Sequence, residues 1–215
     1  RINRYSKLEF RKSDLAFFKI DFYQLYYILI KVQPEIILSM LKKQGLYLPE
    51  FEHDNCGAGF ICSLHGKRSN DIIHKALEIL VKLEHRGAVS SDGITGDGAG
   101  ILIDIPHKFF KIFCDFELPE IGDYAVSNVF LPKKENQRRY CKDILEYEIE
   151  KQGLKLLGWR DVPVNNKVLG KIAHKTEPFI KQIFIEKSSK EQTEREFNLK
   201  LFAARKIAEH AIYSS

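Results

Sequence analysis

The chain has 215 residues, of which 44% are hydrophobic and 29% charged, and its formal net charge is +5. That suits one domain with a sizeable core, or one domain with an extension, and charges of both signs spread along it without a basic, aromatic-rich block, which argues against a nucleic-acid surface. The four cysteines, Cys56, Cys62, Cys114 and Cys141, form no CxxC pair and no Cys/His cluster of zinc spacing, so the sequence points to reduced thiols and to no metal site.

Residues 1–39 differ from the rest. They are rich in Phe, Tyr, Ile and Lys, as in FFKIDFYQLYYILIK. Lys19, Asp21 and Lys31 break the apolar stretch well short of the roughly 20 residues a bilayer span needs. The segment has no small-residue cleavage site, and Asp14, Asp21 and Glu35 argue against an acid-poor transit peptide. Met40 is the only methionine, so translation is expected to begin there, with 1–39 as upstream sequence or an extension. An amphipathic partner-binding helix and a membrane-surface segment are the alternatives. The chain closes at Ser215 inside a helical pattern, which reads as a fragment.

Residues 40–55 read as a leader, with Pro49 discouraging helix. Cys56–Leu64 is a short apolar run of small residues, expected as a buried strand. Ser69 or Asn70 is placed to cap a helix carrying Ile72, Ile73, Ala76, Leu77 and Leu80 at helical spacing. That helix should stop near His85–Gly87. Residues 90–100 form a Ser/Gly/Asp/Thr-rich loop. Ile101–Ile105 is expected as a strand ended by Pro106, and His107–Cys114 as a short helix.

Tyr124–Leu131 alternates as a strand. Lys133–Gln152 is a charged helix with Tyr140, Ile144, Leu145, Tyr147 and Ile149 as inner positions. Strands are expected at Lys155–Trp159 and Pro178–Glu186, with turn-rich and irregular chain at 161–176 between them. Thr193–Tyr213 is a helix with Glu194, Arg195, Glu196, Lys200, Arg205, Lys206 and Glu209 outermost. Short strands mixed with helices, without a βαβ rhythm, indicate an α+β fold.

Three stretches concentrate chemistry. Cys56 follows Asn55 and precedes Gly57 and Gly59, which remove bulk around the sulfur and allow a tight turn. An internal thiol is a modest nucleophile with a pKa of about 8.5. A small buried hydrophobe at a strand start is the plain alternative for it. His85-Arg86-Gly87 reads as a helix end with cations complementing the dipole. Thr95–Gly100, TGDGAG, lacks the GxxxxGK[ST] pattern and precedes a strand rather than a helix, so it is a tight turn and no P-loop.

Taken together, EHDNCGAGF at Glu52–Phe60, the helix-like Asp71–Gly87 closing LEHRGA, TGDGAGILIDIP at Thr95–Pro106, GWRDVPVNNKVLGKIAHKT at Gly158–Thr176 and the helix Glu194–Ala211 resemble the glutamine amidotransferase domain of glutamate synthase large chains. The resemblance runs from about Gly45 to the end. It implies a four-layer αββα sandwich of the N-terminal-nucleophile hydrolase type, incomplete in this stretch, over residues 56–215. It also implies a propeptide cut between Asn55 and Cys56, leaving Cys56 as an N-terminal nucleophile.

Such a cut creates an α-amino group with a reference pKa of about 7.7–8.0. The amine can act as base for its own thiol, directly or through one water. The reaction implied is hydrolysis of the glutamine side-chain amide through a thioester. Arg86 then falls near the substrate-binding wall. Asp97 caps the TGDGAG turn or orients polar groups near Cys56. The family's Asn-Gly oxyanion pair and carboxylate-binding arginine have no match here, since Asn165-Asn166 is not followed by Gly, so this stretch alone is expected to be inactive.

The full-length enzyme implied carries FMN and a 3Fe–4S cluster. The Ile- and Lys-rich composition resembles plastid-encoded proteins and favours ferredoxin as donor in a chloroplast stroma, with an NADPH-dependent enzyme of a bacterial cytoplasm as the alternative. Another class II amidotransferase, or a non-catalytic module with a buried Cys56, are the rival readings.

Overall fold

The computed structural model describes residues 19–22, 57–87, 89–96 and 98–214. Residues 40–56, with the expected leader, Asn55 and Cys56, lie outside the described residues, as does Asp97. The chain divides into two compact units, Leu25–Leu102 and Arg1–Gln24 with Ile103–Ser215.

The larger unit is built on one antiparallel sheet. Its strands are β1 (Lys19–Phe22), β2 (Tyr124–Leu131), β3 (Lys155–Asp161) and β4 (Phe179–Glu186), in the order β1-β2-β4-β3. β1 falls within the segment 1–39 that the sequence sets apart, and pairs Lys19 with Phe130 through Phe22 with Ser127. β2 occupies the span its alternation predicts.

Alternation sorts the sheet into two faces. Ala125, Val129, Leu131, Ile183 and Ile185 point to one face and are fully buried or nearly so. Against them pack α3 (Glu135–Lys151) and α5 (Glu194–Tyr213), through Tyr140, Cys141, Ile144, Leu145 and Ile149 of the first and Phe197, Leu201, Ala204, Ala208 and Ile212 of the second. The i, i+3, i+4 recurrence of these residues is what makes each helix one-sided. Tyr124, Val126 and Phe184 point the other way. They meet Phe110 of α2 (His107–Phe113) and Leu118. Phe184 takes the edges of Phe110 at 5.0 Å and Phe116 at 5.1 Å.

The helix ends follow local chemistry. Thr193 Oγ1 accepts from Glu196 N while Glu196 Oε2 accepts from Thr193 N at 3.0 Å, a reciprocal capping box that starts α5. α3 stops in a Schellman arrangement. Gly153, at φ 70°, donates to Glu150 O at 2.8 Å, and Leu154 N donates to Ile149 O at 3.2 Å. The region expected to be irregular holds a 3-10 turn at Asn166–Val168 and a short helix α4 (Lys171–Thr176). Beyond α4, Glu177 Oε1 accepts from Lys133 Nζ at 2.6 Å and lies 3.1 Å from His174 Nδ1, so one carboxylate ties the end of α4 to the start of the α3 segment.

Several expectations are corrected. Residues 57–64 contain no strand, and Phe60 and Leu64 are 90% and 94% exposed. Ile101–Ile105 is irregular chain as well. A strand exists only through its ladder, and neither run finds a partner strand among the described residues. Cys62, expected beside Cys56 on one strand, is exposed. Tyr147 is half-exposed, its ring 5.6 Å from Lys151 Nζ. Arg205 is buried rather than outermost, its Nε 3.7 Å from Glu209 Oε1 and its guanidinium 5.5 Å from the Phe202 ring centre. A long aliphatic stem lets an arginine cover apolar surface in this way.

Candidate active site

The smaller unit carries the flanks of the site expected around Cys56. It centres on α1 (Asn70–Lys82). Ser69 accepts from Asp71 N at 3.1 Å and so caps the helix, and Lys75 pairs with Asp71 one turn away at 2.6 Å. The chain just after Cys56 crosses this helix closely. A Cβ on Gly59 would come within 2.6 Å of Ile79 Cγ2, so glycine is what the crossing admits there.

The helix ends earlier than the sequence suggests. Leu83 N donates to Ile79 O and Leu80 O, and His85 Nδ1 lies 2.9 Å from Lys82 O. A separate 3-10 turn, Glu84–Arg86, follows and is closed by Gly87 N donating to Glu84 O at 3.0 Å. The Arg86 backbone is therefore set in a tight turn, two hydrogen-bonded steps beyond the helix. Its side chain is outside the described residues.

Next comes a small closed loop. Val89 and Gly96 form an antiparallel bridge, and Ser90 N donates to Thr95 O at 2.7 Å. Asp92 organises the loop: Oδ1 accepts from Ile94 N and Thr95 N, and Oδ2 accepts from Thr95 Oγ1 at 2.6 Å. This role was missed in the sequence, although Asp before Gly is a recognisable Asx-turn signal. The loop delivers the chain to Gly96 and, past Asp97, to Gly98 at φ 85°. Arg86, the Asp92 loop and the segment holding Asp97 thus follow one another within a few residues. No three His, Cys, Asp or Glu side chains gather as a metal-ligand group among the described residues.

The family model for class-II glutamine amidotransferases matches residues 56–215, and the chain belongs to that family. It is a homologue of glutamate synthases. It is 45% identical over 173 residues to the glutamate synthase [NADPH] large chain of Bacillus subtilis, covering 80% of this chain and 11% of that one. It is 44% identical over 178 residues to glutamate synthase [NADH] of Saccharomyces cerevisiae, covering 77% and 8%. It is 36% identical over 179 residues to ferredoxin-dependent glutamate synthase 1, chloroplastic/mitochondrial, of Arabidopsis thaliana, covering 81% and 11%. The chain therefore spans about a tenth of the length of these relatives.

Proposed function

We propose that this chain is the start of the glutaminase of a glutamate synthase large chain, with Cys56 as nucleophile. The observation that carries the reading is where the family match begins: its first residue is Cys56. A domain whose family pattern opens on a cysteine, behind a leader ending Asp54-Asn55, fits a chain cut at that bond. The relatives that match this stretch are glutamate synthases.

In the proposed reaction the α-amino group of Cys56 takes the thiol proton. The thiolate attacks the side-chain amide carbon of glutamine, and ammonia leaves with a proton returned by the amine. Water then opens the thioester, giving glutamate and restoring the thiol. Arg86 and Asp97 are proposed to border the substrate. The ammonia is carried to 2-oxoglutarate in the full-length protein, where FMN and a 3Fe–4S cluster supply reduction to a second glutamate. The four-layer αββα reading rests on the family, and the sheet with α3 and α5 on one face accounts for two of those layers, its other face being met by α2 and Leu118.

The electron donor separates two readings. Composition favours ferredoxin and a plastid. A second reading, a nicotinamide donor, is favoured by identity, since the NADPH and NADH relatives match at 45% and 44% against 36% for the ferredoxin-dependent one. Assay of the purified full-length protein with reduced ferredoxin, with NADPH and with NADH decides between them. Among the described residues no helix is long and apolar enough to cross a membrane. The central test is intact-mass measurement and N-terminal sequencing of the active protein. A mature chain beginning at Cys56 is expected, and an active chain that retains Asn55 ends the terminal-amine mechanism.

A further inference from the structure

The second face of the sheet carries a polar row within apolar surroundings. Asn128 on β2, Gln182 on β4 and Arg160 on β3 are consecutive partners in the register, one step beyond Val126 and Phe184. Beside the row lies a cleft of about 180 Å³ lined by Ile103, Ile105, Phe109, Phe110, Val126 and the Arg160–Gln182 pair.

Arg160 is half-buried there. Its Nη1 donates to Gln182 Oε1 at 2.8 Å, and its guanidinium carbon lies 5.3 Å from the centre of the Phe109 ring. The adjacent carboxylate, Asp161, is taken by Lys181 at 2.7 Å. Among the described residues no carboxylate is within ion-pair distance of Arg160. A guanidinium keeps its proton at every physiological pH, and it has five N–H groups. Here one neutral amide oxygen accepts one of them. Partly burying such a charge costs free energy unless an anion joins it. The remaining fork has the geometry of a bidentate carboxylate partner, and Gln182 Nε2 supplies a further donor.

We propose that the Arg160 cleft is a carboxylate-binding subsite. The carboxylate meets Arg160 and Gln182, and the methylene chain behind it lies against Ile103, Ile105 and Val126. An apolar cavity of about 150 Å³ holds a benzene-sized molecule, so this cleft of about 180 Å³ has room for an acid of about four or five carbons. Two sources present that chemistry: a free short-chain acid, or an aspartate or glutamate side chain of the full-length protein. The subsite does not depend on Cys56 or on the glutaminase reading.

The test uses the full-length protein, its Arg160→Leu and Arg160→Lys variants, and glutarate as probe. Calorimetric titration and thermal unfolding are both read. For a free acid, glutarate binds saturably, the affinity falls about 10-fold or more in Arg160→Leu, and Arg160→Lys keeps part of it. For a side chain of the protein, glutarate does not bind and Arg160→Leu lowers the melting temperature. Lysine then recovers part of the loss, and the difference shrinks as pH falls below the carboxylate range. Three results overturn the proposal. One is glutarate binding that survives Arg160→Leu unchanged. Another is absent binding with Arg160→Leu as stable as the native protein or more so, as expected when an apolar side chain replaces an unpaired charge. The third is a stability loss that lysine does not relieve and pH does not alter.

Discussion

Gly158 of β3 passes so close to Phe116 that a Cβ on residue 158 would sit 2.5 Å from the ring's Cδ1 and 2.6 Å from Cε1. Phe116 is half-buried and packs against the fully buried Phe184, which limits the directions in which its ring can give way. The contact falls where the register of β3 on β4 shifts between Leu156 and Gly158. Gly158→Ala is therefore expected to overpack this face at about 1–3 kcal/mol. Amide exchange along β3 and β4 should accelerate roughly 10- to 100-fold, since exchange reads local opening. Adding Phe116→Leu should recover part of the loss. Unchanged exchange in Gly158→Ala would show that the ring has room to move.

Two buried acids set an alkaline limit. Burial between α3 and α5 pushes the Cys141 thiol up to about 12. Burial, with Cys114 and Asp104 adding to it, raises the Tyr124 hydroxyl to about 12. In the unfolded chain these groups lose their protons near about 8.5 and 10. Between those values and about 12 the folded state holds more protons, so stability falls as pH rises through that window. Below about 8 neither group contributes to the slope. Urea titrations at pH 7, 9 and 10.5 should show midpoints dropping at the two higher values, and Cys141→Ala should flatten the first part of the drop. Thiol labelling followed by peptide mapping should find Cys141 modified only after unfolding.

The start of α5 rests on a short reciprocal device. Thr193 and Glu196 satisfy each other's backbone N–H groups. Thr193→Ala removes one acceptor from the first turn and is expected to cost about 1 kcal/mol. The effect should be confined to exchange of the first-turn amides, with Leu201 and Ala208 amides unaffected. Thr193→Asp should restore most of the protection. Hydrogen bonding to Thr193 also holds the Glu196 carboxylate below its ordinary pKa. This contribution is present above the unfolded carboxylate pKa and is lost as pH falls through the depressed value, so the first turn should fray preferentially in acid.

The sequence carried the fold where a pattern and its packing partner are both local to this chain. β2, β4, α3 and α5 follow their apolar periods closely because each faces a layer built from the others. Cys56–Leu64 and Ile101–Ile105 have the same apolar quality but no partner strand among the described residues. Apolarity predicts burial, and the ladder requires a neighbour that composition does not name. Arg205 was misplaced because charge was read without its stem. The proposed site was read in a different way, and Cys56 itself lies outside the described residues. Cys56 stood out by its glycine context and its resemblance, and the family match opens on it. Asp92 did not stand out, and Arg160 stood out only as part of the GWRDVP stretch that carries the resemblance, read there as packing and loop anchoring. Asp92 gains its role from a loop closing around it, and Arg160 from a register that sets it beside Gln182.

If the α-amino group of Cys56 is the base, it must be unprotonated to accept the thiol proton. Glutaminase kcat/KM of the full-length protein should therefore rise with pH through the amine's pKa, with a reference near about 7.7–8.0. Cys56→Ser should retain the amine but replace the thiol by a weaker nucleophile. On that proposal Cys56→Ala removes the nucleophile, and glutamine hydrolysis should fall by about 10³-fold or more. If the full-length protein is the proposed glutamate synthase and Cys56 serves only its ammonia production, glutamate formation from supplied ammonia and 2-oxoglutarate should persist in Cys56→Ala. If both activities vanish together, the variant has lost its fold and Cys56→Ser becomes the informative protein. Hydrolysis at native rate in Cys56→Ala removes the cysteine from the chemistry.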